Sequence, residues 1–140
     1  MSKGPISVQI YAPNQPVIQT DALFVRLPGR SGDIGVEANH TASLVECHFG
    51  EVCLQNSNGD SYYYMGDAIA TIENDTVVII ASLVEPGESI DRKRAEAARE
   101  RAIDRIRLSK RDSSIDTARA QAALRRAELR VSIAHKCPLS

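Results

Sequence analysis

The sequence predicts an all-β antiparallel sandwich or flattened barrel over residues 1–86, followed by an antiparallel αα-hairpin over residues 87–140. Three observations carry this. Apolar residues recur at period two in the first part and at spacings of three and four in the second. All eight glycines and five of the six prolines fall within the first 87 residues. The net charge of −1 splits into −8 over residues 1–90, from 3 Lys+Arg and 11 Asp+Glu, and +7 over residues 91–140, from 14 and 7. Turn-rich acidic β structure thus gives way to uninterrupted basic helix.

The β elements follow in order. Ile6, Val8 and Ile10 put three apolar side chains on one face, and Leu23, Val25 and Leu27 repeat the pattern. Val36, Leu44, Val52 with Leu54, Tyr62 with Tyr64, Ala68 to Ile72 and Val77 to Ala81 come next. The separators are Asn14-Gln15, Pro28-Gly29, Phe49-Gly50, Asn58-Gly59 and Asn74-Asp75. Asn56 to Asp60 is the clearest hairpin loop. Thr76 to Leu83 is apolar at nearly every position, which predicts a central strand buried on both faces.

Beyond Glu85-Pro86-Gly87 the period becomes helical. Asp91 to Ser109 holds neither Gly nor Pro, and Ala95, Ala98, Ala102 and Ile106 share a stripe. Ser89 is positioned to cap this helix, with Asp91 suiting its dipole. A second helix is expected from about Asp116 to Ala134, its stripe formed by Ala120, Ala123, Leu124, Ala127, Val131 and Ala134. Lys110 to Ser114 is the polar link. Because each buried CH₂ is worth only about 0.8 kcal/mol, an alanine seam gains little, and the hairpin is expected to be marginal.

Composition bounds the function. With 43% hydrophobic and 25% charged residues the chain is an ordinary globular one, and no apolar run reaches the length of a bilayer span. Met1 to Pro5 lacks the apolar core of a secretory signal. Cys47, Cys53 and Cys137 are odd in number and without CxxC spacing, so neither a disulfide framework nor a zinc site is expected. His40, His48 and His135 are too scattered for metal ligation, and nucleophile-elbow, HExxH and P-loop patterns are absent. Tyr62-Tyr63-Tyr64 could form a stacking platform, but strand alternation turns Tyr63 away and the region is acidic, which disfavours nucleic acid.

The arginines leave two readings open. A hairpin centred near Asp112 sets Arg94 beside Arg130, with Arg126 one turn away, gathering three guanidinium groups for a polyanion such as a nucleotide phosphate. Otherwise they form a solvated basic face.

Several motifs, taken in order and spacing, resemble the ε subunit family of F-type ATP synthases over nearly the whole chain. Gly32-Asp33-Ile34-Gly35-Val36 followed by Asn39-His40 is similar to the family's G-E-L-G loop. Val77 to Ala81 is similar to its closing strand, Ile90-Asp91-Arg92-Lys93-Arg94-Ala95 fits its ATP-binding pattern [IL]-D-x-x-R-A, and Leu124 to Arg130 is similar to its second helix in bacteria. Glu37-Ala38-Asn39 and Gly66-Asp67 depart from the usual residues.

The resemblance implies a non-catalytic stalk subunit. The sandwich would dock on the γ subunit and on the ring of c subunits, with Asp33 and His40 facing the ring from a loop. The hairpin would fold against the sandwich or extend toward the αβ hexamer, meeting acidic loops of the β subunit and opposing ATP hydrolysis. ATP would be a regulatory ligand, bound without hydrolysis and without a metal held by the chain itself. Ile90, Asp91 and Ala95 would contact its adenosine, Arg94, Arg126 and Arg130 its phosphates, and Glu85 would complete the pocket. Membrane association would come only through the complex, at the cytoplasmic face of a bacterial plasma membrane or an organellar counterpart. A free-standing sandwich binding a sugar or peptide, with a helical dimerisation arm, is the alternative; an enzyme on a small barrel would need clustered acid and base groups that the sequence does not offer.

Overall fold

The computed structural model describes residues 4–137; Met1 to Lys3, part of the segment read for a secretory signal, and Pro138 lie outside the described residues. The chain forms two compact units, Met1–Pro86 and Gly87–Ser140.

The first unit is a ten-stranded, nearly closed sandwich. Its strands are β1 (Ile6–Ala12), β2 (Gln15–Ala22), β3 (Phe24–Gly29), β4 (Gly32–Val36), β5 (Ser43–Cys47), β6 (Gly50–Asn56), β7 (Gly59–Met65), β8 (Ala68–Glu73), β9 (Thr76–Ala81) and β10 (Val84–Pro86). They pair in the order β10-β7-β6-β3-β5-β8-β9-β1-β2, with β4 added to β3. Most pairs are antiparallel, but β1 runs parallel to β9. Alternation reports which face a strand buries and is silent on its neighbour's direction, so this pair was not readable.

The core joins the inward residues of both layers: Ile6, Val8 and Ile10 of β1, Val25 and Leu27 of β3, Val52 and Leu54 of β6, Val77 and Ile79 of β9. Three expectations change. Leu23 sits on a bend ahead of β3 and is exposed. On β5 the core face is Val45 and Cys47, leaving Leu44 70% exposed. β9 lies between β8 and β1 as a central strand, yet Ile80 is 64% exposed, because a sandwich strand covers only one face against the core. Strand β2 carries few apolar residues and has Pro16 near its start, as an edge strand tolerates.

Turn chemistry fixes the hairpins. Asn74 and Asp75 both adopt positive φ, 52° and 56°, between Glu73 and Thr76, the two-residue turn whose twist matches its strands. The loop at Asn56 to Asp60 narrows to Ser57-Asn58, since Asn56 already pairs with Gly59. Gly29 faces Gly32 across the β3–β4 turn, where a Cβ would come within 2.6 Å of the Gly32 carbonyl oxygen.

The second unit begins with a 3-10 turn, Gly87–Ser89, and continues as α1 (Arg92–Ser109) and α2 (Thr117–Lys136). Asp91, not Ser89, caps α1, accepting from the Arg94 amide at 3.1 Å; Ser89 is taken up by the turn. Asp116 caps α2 in the same way through the Arg119 amide, also at 3.1 Å. The helices bury Ala95 and Ala102 on one side and Ala120, Ala127 and Ala134 on the other, all at seven-residue spacing. A seven-residue repeat with methyl-sized contacts lets two helices approach closely and coil left-handedly. Ile133, which the stripe omitted, is fully buried. Among the described residues no helix is long and apolar enough to cross a membrane.

Candidate functional site

In the sandwich the sequence points to Asp33 and His40. Asp33 lies on strand β4 opposite Pro28, not in a loop, because the turn is already closed between Gly29 and Gly32. Its side chain is 59% exposed and its Oδ2 lies 3.4 Å from Nη1 of Arg26. The same guanidinium donates through Nη2 to Oε1 of buried Glu51 at 2.6 Å. That hydrogen bond pushes the Arg26 pKa up, outweighing the opposing effect of burial. Arg26 thus anchors an exposed carboxylate to a buried one. His40 sits half-buried in the segment between β4 and β5, its Nδ1 2.7 Å from the Thr41 carbonyl oxygen. The neighbouring Asn39 amide donates to Asp75 Oδ1 at 2.7 Å, tying this segment to the β8–β9 turn. No ion pair or hydrogen bond joins Asp33 to His40 among the described residues.

In the helical unit, Arg92 holds the open end of the hairpin. Its Nη2 donates to the carbonyl oxygens of Ala134 at 2.8 Å and Cys137 at 2.9 Å, at the C-terminal end of α2, where the dipole is negative. One turn along, His135 Nε2 lies 3.8 Å from Glu96 Oε1. Midway between Arg92 and Ala134 is Ser113, and midway between Glu96 and His135 is the 115–116 junction. The hairpin therefore turns later than Asp112, and Arg130 falls opposite residues 96–101 rather than Arg94.

Two concavities follow from this register. One, of about 430 Å³ at the open end, is lined by Ile90, Asp91, Lys93, Glu96 and His135 among others. The other, of about 780 Å³, runs along both helices and is lined by Arg101, Arg105, Arg119, Arg126 and Arg130 over a floor of alanines. So Ile90 and Asp91 share one cavity, Arg126 and Arg130 share another, and Arg94 lines neither. Arg94 is exposed on the first turn of α1 and Ala95 is buried in the seam. Glu85 lies on β10, in the sandwich unit. Sequence reasoning missed Arg92, Arg101, Arg105 and Arg119. The last three were legible as i,i+4 and i,i+7 partners once the hairpin centre was moved.

Among the described residues no cluster of three or more His, Cys, Asp or Glu is arranged to hold a metal ion. Cys47 and Cys53 are buried free thiols whose pKa burial pushes up.

A family model described as the ATP synthase delta/epsilon chain β-sandwich domain matches residues 5–87, and one described as its long α-helix domain matches residues 88–135. The chain belongs to the ATP synthase delta/epsilon family. Within that family it is 33% identical to the ATP synthase epsilon chain of Bacillus subtilis over 77% of this chain and 82% of the relative. It is 30% identical to the epsilon chain of Lawsonia intracellularis over 76% and 80%. Among solved structures, a chain in the cryo-EM structure of the Euglena gracilis mitochondrial ATP synthase, OSCP/F1/c-ring, matches with a TM-score of 0.74, covering 89% of this chain and 78% of that one. At 19% identity that likeness concerns the fold of this family member alone.

Proposed function

We propose that this epsilon-family chain works as a central-stalk subunit of a rotary proton-translocating ATP synthase, with no catalysis of its own and with a helical hairpin that senses nucleotide. The observation that carries the reading is the unbroken family match, sandwich then helices, over residues 5–135. The sandwich docks on γ and the c-ring, presenting Asp33 and His40. The hairpin takes up ATP at Ile90, Asp91, Arg94, Ala95, Arg126 and Arg130. The complex sits at the cytoplasmic face of a bacterial plasma membrane and gives the chain its only membrane association. The +7 charge of residues 91–140 complements acidic β-subunit loops when the hairpin is released, where it opposes hydrolysis.

ATP shifts the hairpin only by its differential affinity for the folded form. The register separates the cavity at Ile90 and Asp91 from the groove at Arg126 and Arg130, so a nucleotide engaging both must span from one to the other. Calorimetric titration with MgATP tests this. Wild type is expected to bind saturably, and Arg126→Ala to bind roughly ten- to a hundredfold more weakly. Asp91→Asn is the informative partner, because Asp91 caps α1 and Asn keeps the cap whereas Ala does not. No saturable heat at millimolar nucleotide, or equal affinity in all three, overturns the nucleotide switch and leaves the family membership untouched.

A further inference from the structure

We infer that the Asn14 side chain acts as a one-residue strand clasping β10, and that detachment of β10 supplies the chain length by which the helical unit moves. The second half rests on the proposed release of the hairpin; the clasp itself does not.

β10 is held by little of its own. It is three residues long, stands at one end of the strand order and pairs, among the described strands, with β7 alone: Val84 with Met65, Glu85 with Tyr64 and Pro86 with Tyr63. Pro86 has no amide to give the ladder. In an antiparallel pair alternate residues turn their backbone groups to one side and then the other, and Val84 turns its amide and carbonyl away from β7. Val84 is fully buried, so both groups need a partner.

Asn14 provides both. Its Oδ1 accepts from the Val84 amide at 3.1 Å and its Nδ2 donates to the Val84 carbonyl oxygen at 2.8 Å, across a separation of 70 residues. A carboxamide carries a donor and an acceptor side by side, as a peptide group does, and so stands in for a neighbouring strand. The β1–β2 turn aims it. Ala12 pairs with Gln15, which leaves Pro13 and Asn14 as the turn, and the ring of Pro13 fixes φ just before the clasp. An ionised Asp, having no donor, could make only half of the pair.

The clasp lies where the two units join. Pro86 is the last residue of β10 and Gly87 the first of the 3-10 turn, so no linker residue separates the sandwich from the helical unit. Displacing the helical unit needs chain that this junction does not hold. Releasing Val84–Pro86 provides it, three residues or about 10 Å at 3.3 Å each. Asn14, in the first turn of the sandwich, thereby governs how far the helices can travel.

Hydrogen exchange of the intact chain, followed by NMR, tests the clasp. Asn14→Leu keeps the bulk of the side chain and removes both polar groups, and it is expected to speed exchange at Val84 and Glu85 about ten- to a hundredfold, as loss of two hydrogen bonds implies. Exchange in β2 and β9 should keep wild-type rates. Asn14→Asp, which loses the donor alone, should fall between. Asn14 is exposed on a turn, so the fold should persist, as circular dichroism would verify, and Asn14→Asp serves as the milder variant. Nitrogen-15 relaxation reads the slack: the correlation times of the two units should diverge further in Asn14→Leu than in wild type. Equal exchange at Val84 and Glu85 in wild type and Asn14→Leu overturns the clasp, and faster exchange with unchanged tumbling overturns the role of β10 as slack. Faster exchange and more independent tumbling, with the inhibition of hydrolysis in a reconstituted synthase unaltered, uphold this inference and count against the released hairpin instead.

Discussion

Replacing Arg92 by alanine should loosen the hairpin at its open end. Two hydrogen bonds from one charged donor reach the last carbonyls of α2, at 2.8 and 2.9 Å. Hydrogen bonds to charged groups are worth about 1.5–3 kcal/mol each, and a cation at a helix C-terminus adds about 0.3–1 kcal/mol. Arg92 is half-buried and both bonds share one nitrogen, so solvent recovers part of the loss. A net cost of about 2 kcal/mol follows, or a roughly thirtyfold rise in the opening constant. Hydrogen exchange of the α2 amides reads this directly, and proteolysis at Lys110 to Ser114 should accelerate in step. Alanine is the better helix former, so intrinsic propensity works against the effect and cannot mimic it. The control is Lys93→Ala, an exposed neighbour expected to stay within about 0.5 kcal/mol of wild type. If Arg92→Ala and Lys93→Ala exchange at the same rate, the clamp does not hold the hairpin.

Arg26→Leu should destabilise the sandwich by about 2–4 kcal/mol in urea unfolding, because the buried Glu51 carboxylate loses its guanidinium, while Glu51→Leu should cost less and the double variant recover most of the loss. In the interhelical link, the Ser114 hydroxyl and amide donate to Asp112 at 2.7 and 3.0 Å and lower its pKa. A depressed carboxylate contributes above its ordinary range and loses that contribution as pH falls through the folded value. Exchange at Asp112 to Ser114 should therefore differ between wild type and Asp112→Ala at neutral pH and converge in acid. Alkylation at neutral pH should label half-buried Cys137 before Cys47 and Cys53, whose burial raises their thiol pKa.

What the sequence made legible was set by how strongly each residue's environment constrained it. Period-two runs such as Ile6 to Ile10 and Val77 to Ala81 announced strands because half their residues must enter a core. Strand β2 was invisible because an edge strand buries little, and Leu44 and Ile80 misled because apolar residues are free to face outward. In the helices, the elements were plain but the register was not. Moving the centre from Asp112 to between Ser113 and Asp116 separates Arg94 from Arg130 and brings Arg101, Arg105 and Arg119 into the groove. Alanines repeat too uniformly to specify which faces which; Arg92 with Ala134 and Glu96 with His135 specify it, through long-range contacts that local pattern does not encode.

The alanine seam also determines how the hairpin answers heat and denaturant. Heat capacity rises with the apolar area that a transition exposes, and parting two rows of methyl groups exposes little of it. Separation of α1 from α2 should accordingly show a shallow temperature dependence and a small denaturant slope, while unfolding of the Ile- and Val-filled sandwich shows both in full. A calorimeter scanning the whole chain would record the sandwich and barely register the hairpin. What moves the helices apart or together is then the ionic composition around them far more than the temperature.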